Sequence, residues 1–309
     1  DSMSIDAFGR WRVSEPYTVF DSKQLFDAQP LLWDDQEVSG ASTSSTYDQD
    51  NARTRMLAAA NTAGNRTRQT FMRFNYQPGK SQLVLMTSRL SGKPTGITAR
   101  VGMFDDDNGV FFSAIDGVLY ANIRSNTSGS PVDNDIAQAD WNKDTMDGNG
   151  PSGITIDATK CQIMFWDFEW LGVGRVRCGF VIEGKFYIAH EFYHANSVTE
   201  VYMSTPNLPL RLEIINSGAA AETTLDHICS SIMSEGGIEK NGKLLYLTTG
   251  GTPLVAATAG IIYAVIGIKL KAAALGAVID IVQIAIQIQT ASESGEWTLR
   301  LNPTVASTF

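Results

Sequence analysis

The chain has 309 residues, room for two domains of ordinary size or for one large β domain with a small one. Its 24 Lys and Arg against 33 Asp and Glu leave a formal charge of −9, the wrong sign for a surface that neutralises nucleic-acid phosphates. Charged residues make up only 18% and glycines number 27, which favours short strands, many turns and faces buried in an assembly.

In chain order, the first 24 residues read as an extended arm. The turn Phe8-Gly9-Arg10, followed by Trp11 and Pro16, suits a segment that docks onto a neighbouring molecule from Asp6 to Phe20. Trp33 sits in a polar stretch, where its ring face is a candidate platform for a sugar. ASTSSTYDQDNARTRM is polar and is expected to cover or extend from a sheet edge. Arg66, Arg68 and Arg73 interleave with Phe71, Phe74 and Tyr76. That outline suggests nucleic-acid binding, but the alternation and acidic surroundings point to a structural strand with paired arginines.

SQLVLMTSRL, ITARVGMFDD, VFFSAI and VLYANIRSN alternate or run apolar and are bounded by SGKPTG, DDDNG and IDG, so four strands are expected here. The loops Asp105-Asp106-Asp107-Asn108-Gly109 and Asp133-Asn134-Asp135 carry hard oxygen ligands for calcium but lack the twelve-residue spacing with a terminal Glu. Turn-forming Asp and Asn explain them equally well. From SNTSGSPVDND to DGNGPSG the chain reads as a surface excursion, with Trp141 inside it as a second candidate glycan-facing residue.

The strongest period-two signal is CQIMFWDFEW. Met164, Trp166, Phe168 and Trp170 point one way as a core face, and Ile163, Phe165, Asp167 and Glu169 the other. Two more strands follow, joined at the hairpin tip Glu183-Gly184-Lys185, and complete an antiparallel meander. Asp167 and Glu169, at i and i+2 on one strand, stand ~6.5–7 Å apart, near the separations of glycosidase carboxylates. Laminarinase-type glycoside hydrolases carry their acids on a strand in this manner, but the third acid of such motifs is missing, since Trp170-Leu171-Gly172 follows. A solvated strand face is the simpler reading.

His190-Glu191-Phe192-Tyr193-His194 matches the zinc-peptidase string HExxH. Its flank KFYIA is strand-like, and on a strand the two histidines lie ~13 Å apart, too far to share one zinc ion. The segment is therefore read as polar positions on a half-exposed strand, with no metal and no cofactor. Cys161, Cys178 and Cys229 are odd in number and have no CxxC spacing, which suits a reducing compartment. No phosphate-cradling loop, nucleophile elbow or secretory signal is visible.

A boundary is expected at Ser234-Glu235-Gly236-Gly237, separating a domain of residues 25–237 from a small β domain of residues 238–309. Residues 244–268 are uncharged, but their glycines and Pro253 make a buried strand pair a better reading than a membrane span. Val282, Ile284, Ile286 and Ile288 alternate with Gln283, Ala285, Gln287 and Gln289. Strands this apolar aggregate edge to edge unless paired, so Ile284, Ile286 and Ile288 are the candidate interface of a homo-oligomer, a trimer or larger.

The wording of several segments carries more than their periodicity. IDAFGRWRVSEPYTVFDSKQLFD, RQTFMRFNYQPGKSQLVLMT, GPSGITIDATKCQIMFWDFEWLGVGRVRCGFVIEGKFYIAHEF and VYMSTPNLPLRLEI resemble virion structural proteins of tailed bacteriophages and large aquatic double-stranded DNA viruses. The resemblance covers roughly residues 6–237 and carries no catalytic motif. It implies a non-enzymatic virion component whose partners are itself and other virion proteins, with the net charge favouring the outside of the particle. Fold and resemblance together give an all-β protein, a large lectin-like or jelly-roll sandwich with a small C-terminal β domain. A glycan-binding module and, behind it, a glycan hydrolase are the alternatives.

Overall fold

The computed structural model describes residues 4–13, 15–90, 94–237, 243–251, 261–269 and 281–287, with Val255, Ile279, Thr298 and Leu299. The chain divides into two compact units, Asp1–Glu239 and Lys240–Phe309.

The first unit is an antiparallel β-sandwich of the lectin-like, jelly-roll kind. Its strands are β1 Pro16–Lys23, β2 Trp33–Gly40, β3 Thr43–Asp48, β4 Arg53–Ala58, β5 Gly64–Thr70, β6 Gln82–Arg89, β7 Ile97–Phe104 and β8 Gly109–Ile115. They continue as β9 Val118–Ser125, β10 Val132–Ala137, β11 Gln162–Phe168, β12 Val176–Ile182, β13 Lys185–Phe192, β14 Leu210–Asn216 and β15 Thr223–Glu235. Among the described residues the only helical element is a 3-10 turn at Gln138–Asp140. One sheet runs β13-β12-β11-β6-β15-β4-β3, and β1 also pairs with β15; the other runs β10-β9-β8-β7-β14-β5-β2. The long β15 offers one edge to two partners in turn: Thr223–His227 pairs with β4 and Cys229–Glu235 with β1.

Hairpin chemistry pins the register. In both two-residue loops, Asp116-Gly117 and Glu183-Gly184, both residues have positive φ, the left-handed pair that matches strand twist and that glycine adopts without strain. From Glu183-Gly184 back through β12 the register sets Trp166 opposite Cys178 and Met164 opposite Phe180. On the other side β6 sets Val84 against Trp166 and Met86 against Met164.

These residues form the core together with the inner face of the second sheet, where Phe112 stacks on Phe180 at 5.0 Å and tilts against Trp166 at 5.3 Å. Met164, Trp166 and Phe168 are fully buried, as the alternation requires, and the half-buried Trp170 packs against them. Trp166→Ala is expected to cost about 3–5 kcal/mol, read as a shift in the urea midpoint.

Three expectations change. The segment from Asp6 to Phe20 does not reach away from the domain: residues 5–12 lie over the outer face of β11 and β12, and β1 is a strand of the sheet. Asp6 and Ala7 are buried there, because the carboxylates and arginines of that face provide ion pairs that hold a strap down. The excursion around residues 126–153 contains β10, which pairs in register with β9 and closes the second sheet. In the second unit the described residues form no strand within the single chain, Ile284 and Ile286 are exposed, and Ile288 lies outside the described residues.

Candidate functional site

The outer face of β11 and β12 holds the acids singled out above, and it is closed rather than solvated. Asp167 is 0% exposed and lies between Arg177, its cross-strand neighbour on β12, and Arg12 of the strap. Ser81 donates its hydroxyl to the second Asp167 oxygen at 2.6 Å. Arg12 also pairs with Glu235 at the end of β15, whose carboxyl is pushed up by burial. Arg177 and Arg175 donate to the carbonyls of Ile5 and Ala7. A carboxylate sealed by two arginines, a serine and a covering strap has no space for substrate. Glu169 is half-buried, accepts the Arg175 backbone N–H at 3.1 Å, and is raised by desolvation. The pair therefore does not form the open dyad that glycoside hydrolysis needs.

HEFYH begins on β13, as its flank implied, but all of it except the exposed Tyr193 is buried rather than half-exposed. His190 accepts the Asn142 backbone N–H at Nδ1 (3.2 Å), and desolvation pushes its pKa down to about 4. Glu191, 1% exposed, is paired to Lys143 at 3.3 Å and accepts the Tyr193 hydroxyl. His194, past the end of β13, binds the Gly174 carbonyl through Nδ1 at 2.6 Å and stacks on Tyr202 with ring centroids 4.1 Å apart. Each side chain is held separately by its own partners. Protein dialysed against a weak chelator is expected to carry no stoichiometric zinc by elemental analysis.

Both tryptophans proposed to face a glycan are core residues. Trp33 is 2% exposed, donates its indole N–H to Ser22 at 2.8 Å, and lies against His227, Phe20 and the Arg68 guanidinium. Trp141 is 4% exposed, packs against Phe112 and Phe180, and donates to the Ile136 carbonyl. A polar neighbourhood in sequence placed both in loops; Trp33 instead opens β2 and Trp141 follows the 3-10 turn, and each turns its large apolar ring inward, where burial is worth most.

The acidic loops are also committed. Asp105 accepts the backbone N–H groups of Asp107 and Asn108 and pairs with Arg73, while Asp106 pairs with Arg211. Asp133 takes Arg124, and Asp135 takes the Asn122 amide. The arginines of β5 are paired as the alternation implied: Arg66 and Arg68 share Asp35. Among the described residues no group of three or more His, Cys, Asp or Glu is arranged to hold a metal ion.

Beside a concavity of about 450 Å3 lined by Thr46, Tyr47, Asp48, Gln49, Asp50 and Arg55, a second concave surface is open. It is a cleft of about 540 Å3 at one end of the sandwich, walled by the ends of β9 and β10 and by the segment of residues 194–202 that leads from β13 toward β14. Its rim presents exposed Val132, Val198 and Val201 beside Asn134, Thr199 and Glu200. Sequence reasoning missed it because residues 123–134 and 194–202 are far apart along the chain and neither stretch carries a motif.

No family model and no curated protein matches the chain. Among solved structures it is similar to a protein of unknown function from Shewanella oneidensis MR-1 (TM-score 0.44, 6% identity, 74% of this chain and 91% of that one). It is also similar to the carbohydrate recognition domain of Emp47p (0.43, 10%, 71% and 96%). A third is a GH16 protein of the Bacteroides ovatus mixed-linkage glucan locus, solved with a product bound (0.43, 10%, 69% and 99%). At these identities the likeness concerns strand arrangement and carries no residue across. Among the described residues no helix is long and apolar enough to cross a membrane.

Proposed function

We propose that the chain is a non-enzymatic structural component of a virus particle, in which copies join through residues 240–309 and present the β-sandwich. The observation that carries this reading is the run of large apolar side chains exposed in the single chain. Tyr246, Val255, Ile262, Val282, Ile284 and Ile286 are 46–92% exposed, and the last three alternate with Gln283, Ala285 and Gln287. Apolar area on this scale, interrupted by few charges, stabilises an assembly when it is covered by further copies. The wording shared with virion structural proteins supports the setting, and the sealed Asp167 supports the absence of turnover.

Native mass spectrometry and light scattering at micromolar concentration are expected to give a symmetric homo-oligomer, a trimer or larger; a monodisperse monomer overturns the reading. Ile284→Lys, which puts a charge on the apolar face, is expected to dissociate or aggregate it. Peptide-mass analysis of particles purified from a culture expressing the gene is expected to find the chain at structural copy number, and its absence from them removes the virion role.

A second reading, recognition of a host-surface glycan by the displayed sandwich, is favoured by one observation, the open cleft beside β10.

A further inference from the structure

The buried carboxylates of the sandwich are mostly spent on ion pairs, whereas the polar side chains exposed at the cleft are open to a ligand. Asp35, Asp105, Asp133, Asp167, Glu191, Glu213 and Asp226 all lie in ion pairs. By contrast, the side chains of Asn134, Thr199 and Glu200, all exposed at the cleft, have no protein hydrogen-bond partner among the described residues. His194 adds a fourth group. Its Nδ1 faces the Gly174 carbonyl at 2.6 Å, and a carbonyl only accepts, so Nδ1 carries the proton and Nε2 is left as the acceptor. Burial holds this imidazole below its usual pKa, which keeps the ring neutral at pH 7, and the stack on Tyr202 at an interplanar angle of 8° fixes its plane.

The chemistry of the lining selects the ligand. No Lys or Arg lines the cleft, and its one carboxylate, Glu200, repels anions. Amide and hydroxyl groups that both donate and accept, set beside the apolar surfaces of Val132, Val198 and Val201, match a molecule with hydroxyls on its edge and C–H groups on its face. The volume of about 540 Å3 lies within the range of small-molecule sites.

We infer that this cleft is a binding site for a neutral sugar, with Asn134, Thr199 and Glu200 engaging its hydroxyls and His194 Nε2 accepting one of them. The inference rests on the second reading above, that the sandwich recognises a glycan, and deepens it by naming the site and the ligand class.

The test is saturation-transfer NMR on the full chain. Methyl glycosides of glucose, galactose, mannose and N-acetylglucosamine serve as neutral probes, and sialyllactose and glucuronic acid as anionic ones. A neutral probe is expected to bind and the anionic probes are not. The double variant Asn134→Ala with Thr199→Ala changes only exposed side chains, so its unfolding midpoint should match the wild type while its affinity falls at least about tenfold. If the variant binds the neutral probe as well as the wild type, or if only anionic probes bind, the inference is overturned while the glycan reading stands. If no probe binds at about 10 mM and an array of longer glycans is also blank, both fall.

Discussion

Asp167→Asn is expected to destabilise the β-sandwich by about 3–5 kcal/mol, although the substitution changes no volume. The amide cannot neutralise Arg177, which is 0% exposed, and the Nε and Nη1 of that guanidinium already have no hydrogen-bond partner. Arg12, one of the charged side chains that hold the strap down, loses the same carboxylate. Breaking one side of a buried pair leaves the other charge in a low-dielectric site, and that penalty exceeds the net worth of the intact pair.

Two comparisons isolate the cause. Asp167→Leu combined with Arg177→Met removes both buried charges and should cost less than Asp167→Asn alone. Glu169→Gln, two residues further along and just past the end of β11, keeps an acceptor oxygen for the Arg175 N–H and should cost less than about 1 kcal/mol. The measurement is the urea midpoint of each variant at neutral pH and constant slope. A midpoint for Asp167→Asn equal to the wild type would show that the strap does not seal this face in solution.

The stability of the first unit is expected to be flat from pH 8 to about 6.5 and to fall steeply below it. All three histidines of the chain are buried: His190 at 6%, His194 at 8% and His227 at 0% exposure. Desolvation lowers each pKa, to about 4 for His190 and well below 6.5 for His227, where the Arg68 guanidinium adds to the effect. Arg68 donates Nε–H to His227 Nδ1 at 3.2 Å, so protonating that ring sets two cations against each other.

The sign follows from proton uptake. In the unfolded chain these rings protonate near pH 6.5, whereas in the folded chain their lowered pKa values delay protonation, so below 6.5 the unfolded state binds more protons and gains. His190 and His227 each contribute a slope of up to about 1.4 kcal/mol per pH unit, about 3 for the two together, and His194 adds to it in the same sense. Glu169 and Glu235 act in the opposite sense. Burial raises both pKa values, so their contribution is full below the ordinary carboxylate value and is lost as pH rises through the raised one. They offset part of the loss only at the acid end of the window. Urea midpoints at half-unit steps from pH 8 to 4.5 measure this directly, and a profile flat to pH 5 would contradict it.

Much of the architecture was legible in the sequence because a strand writes its geometry locally. Period-two alternation located β6, β7, β8, β9, β11, β12 and β13 and assigned Met164, Trp166 and Phe168 to the core. Glu183-Gly184 and the Asp-Gly of IDG marked two tight hairpins.

What tertiary structure decided was which faces are covered and by what. Alternation places Asp167 and Glu169 opposite the core, but only the strap, joining Arg12 to a carboxylate 155 residues away, makes that face an interior. The same holds for Trp33 and Trp141, whose polar neighbours in sequence are not their neighbours in space, and for His190 and His194, which strand periodicity set on one half-exposed face and packing buried with separate partners. The cleft is the clearest case: β9, β10 and residues 194–202 carry no shared pattern, and only the folding of the second sheet's edge against the β13–β14 connection brings Asn134, His194 and Thr199 to one opening. Local periodicity reports the conformation of a segment. Burial, ion pairing and concavity depend on contacts between segments distant in sequence, and no local pattern encodes those.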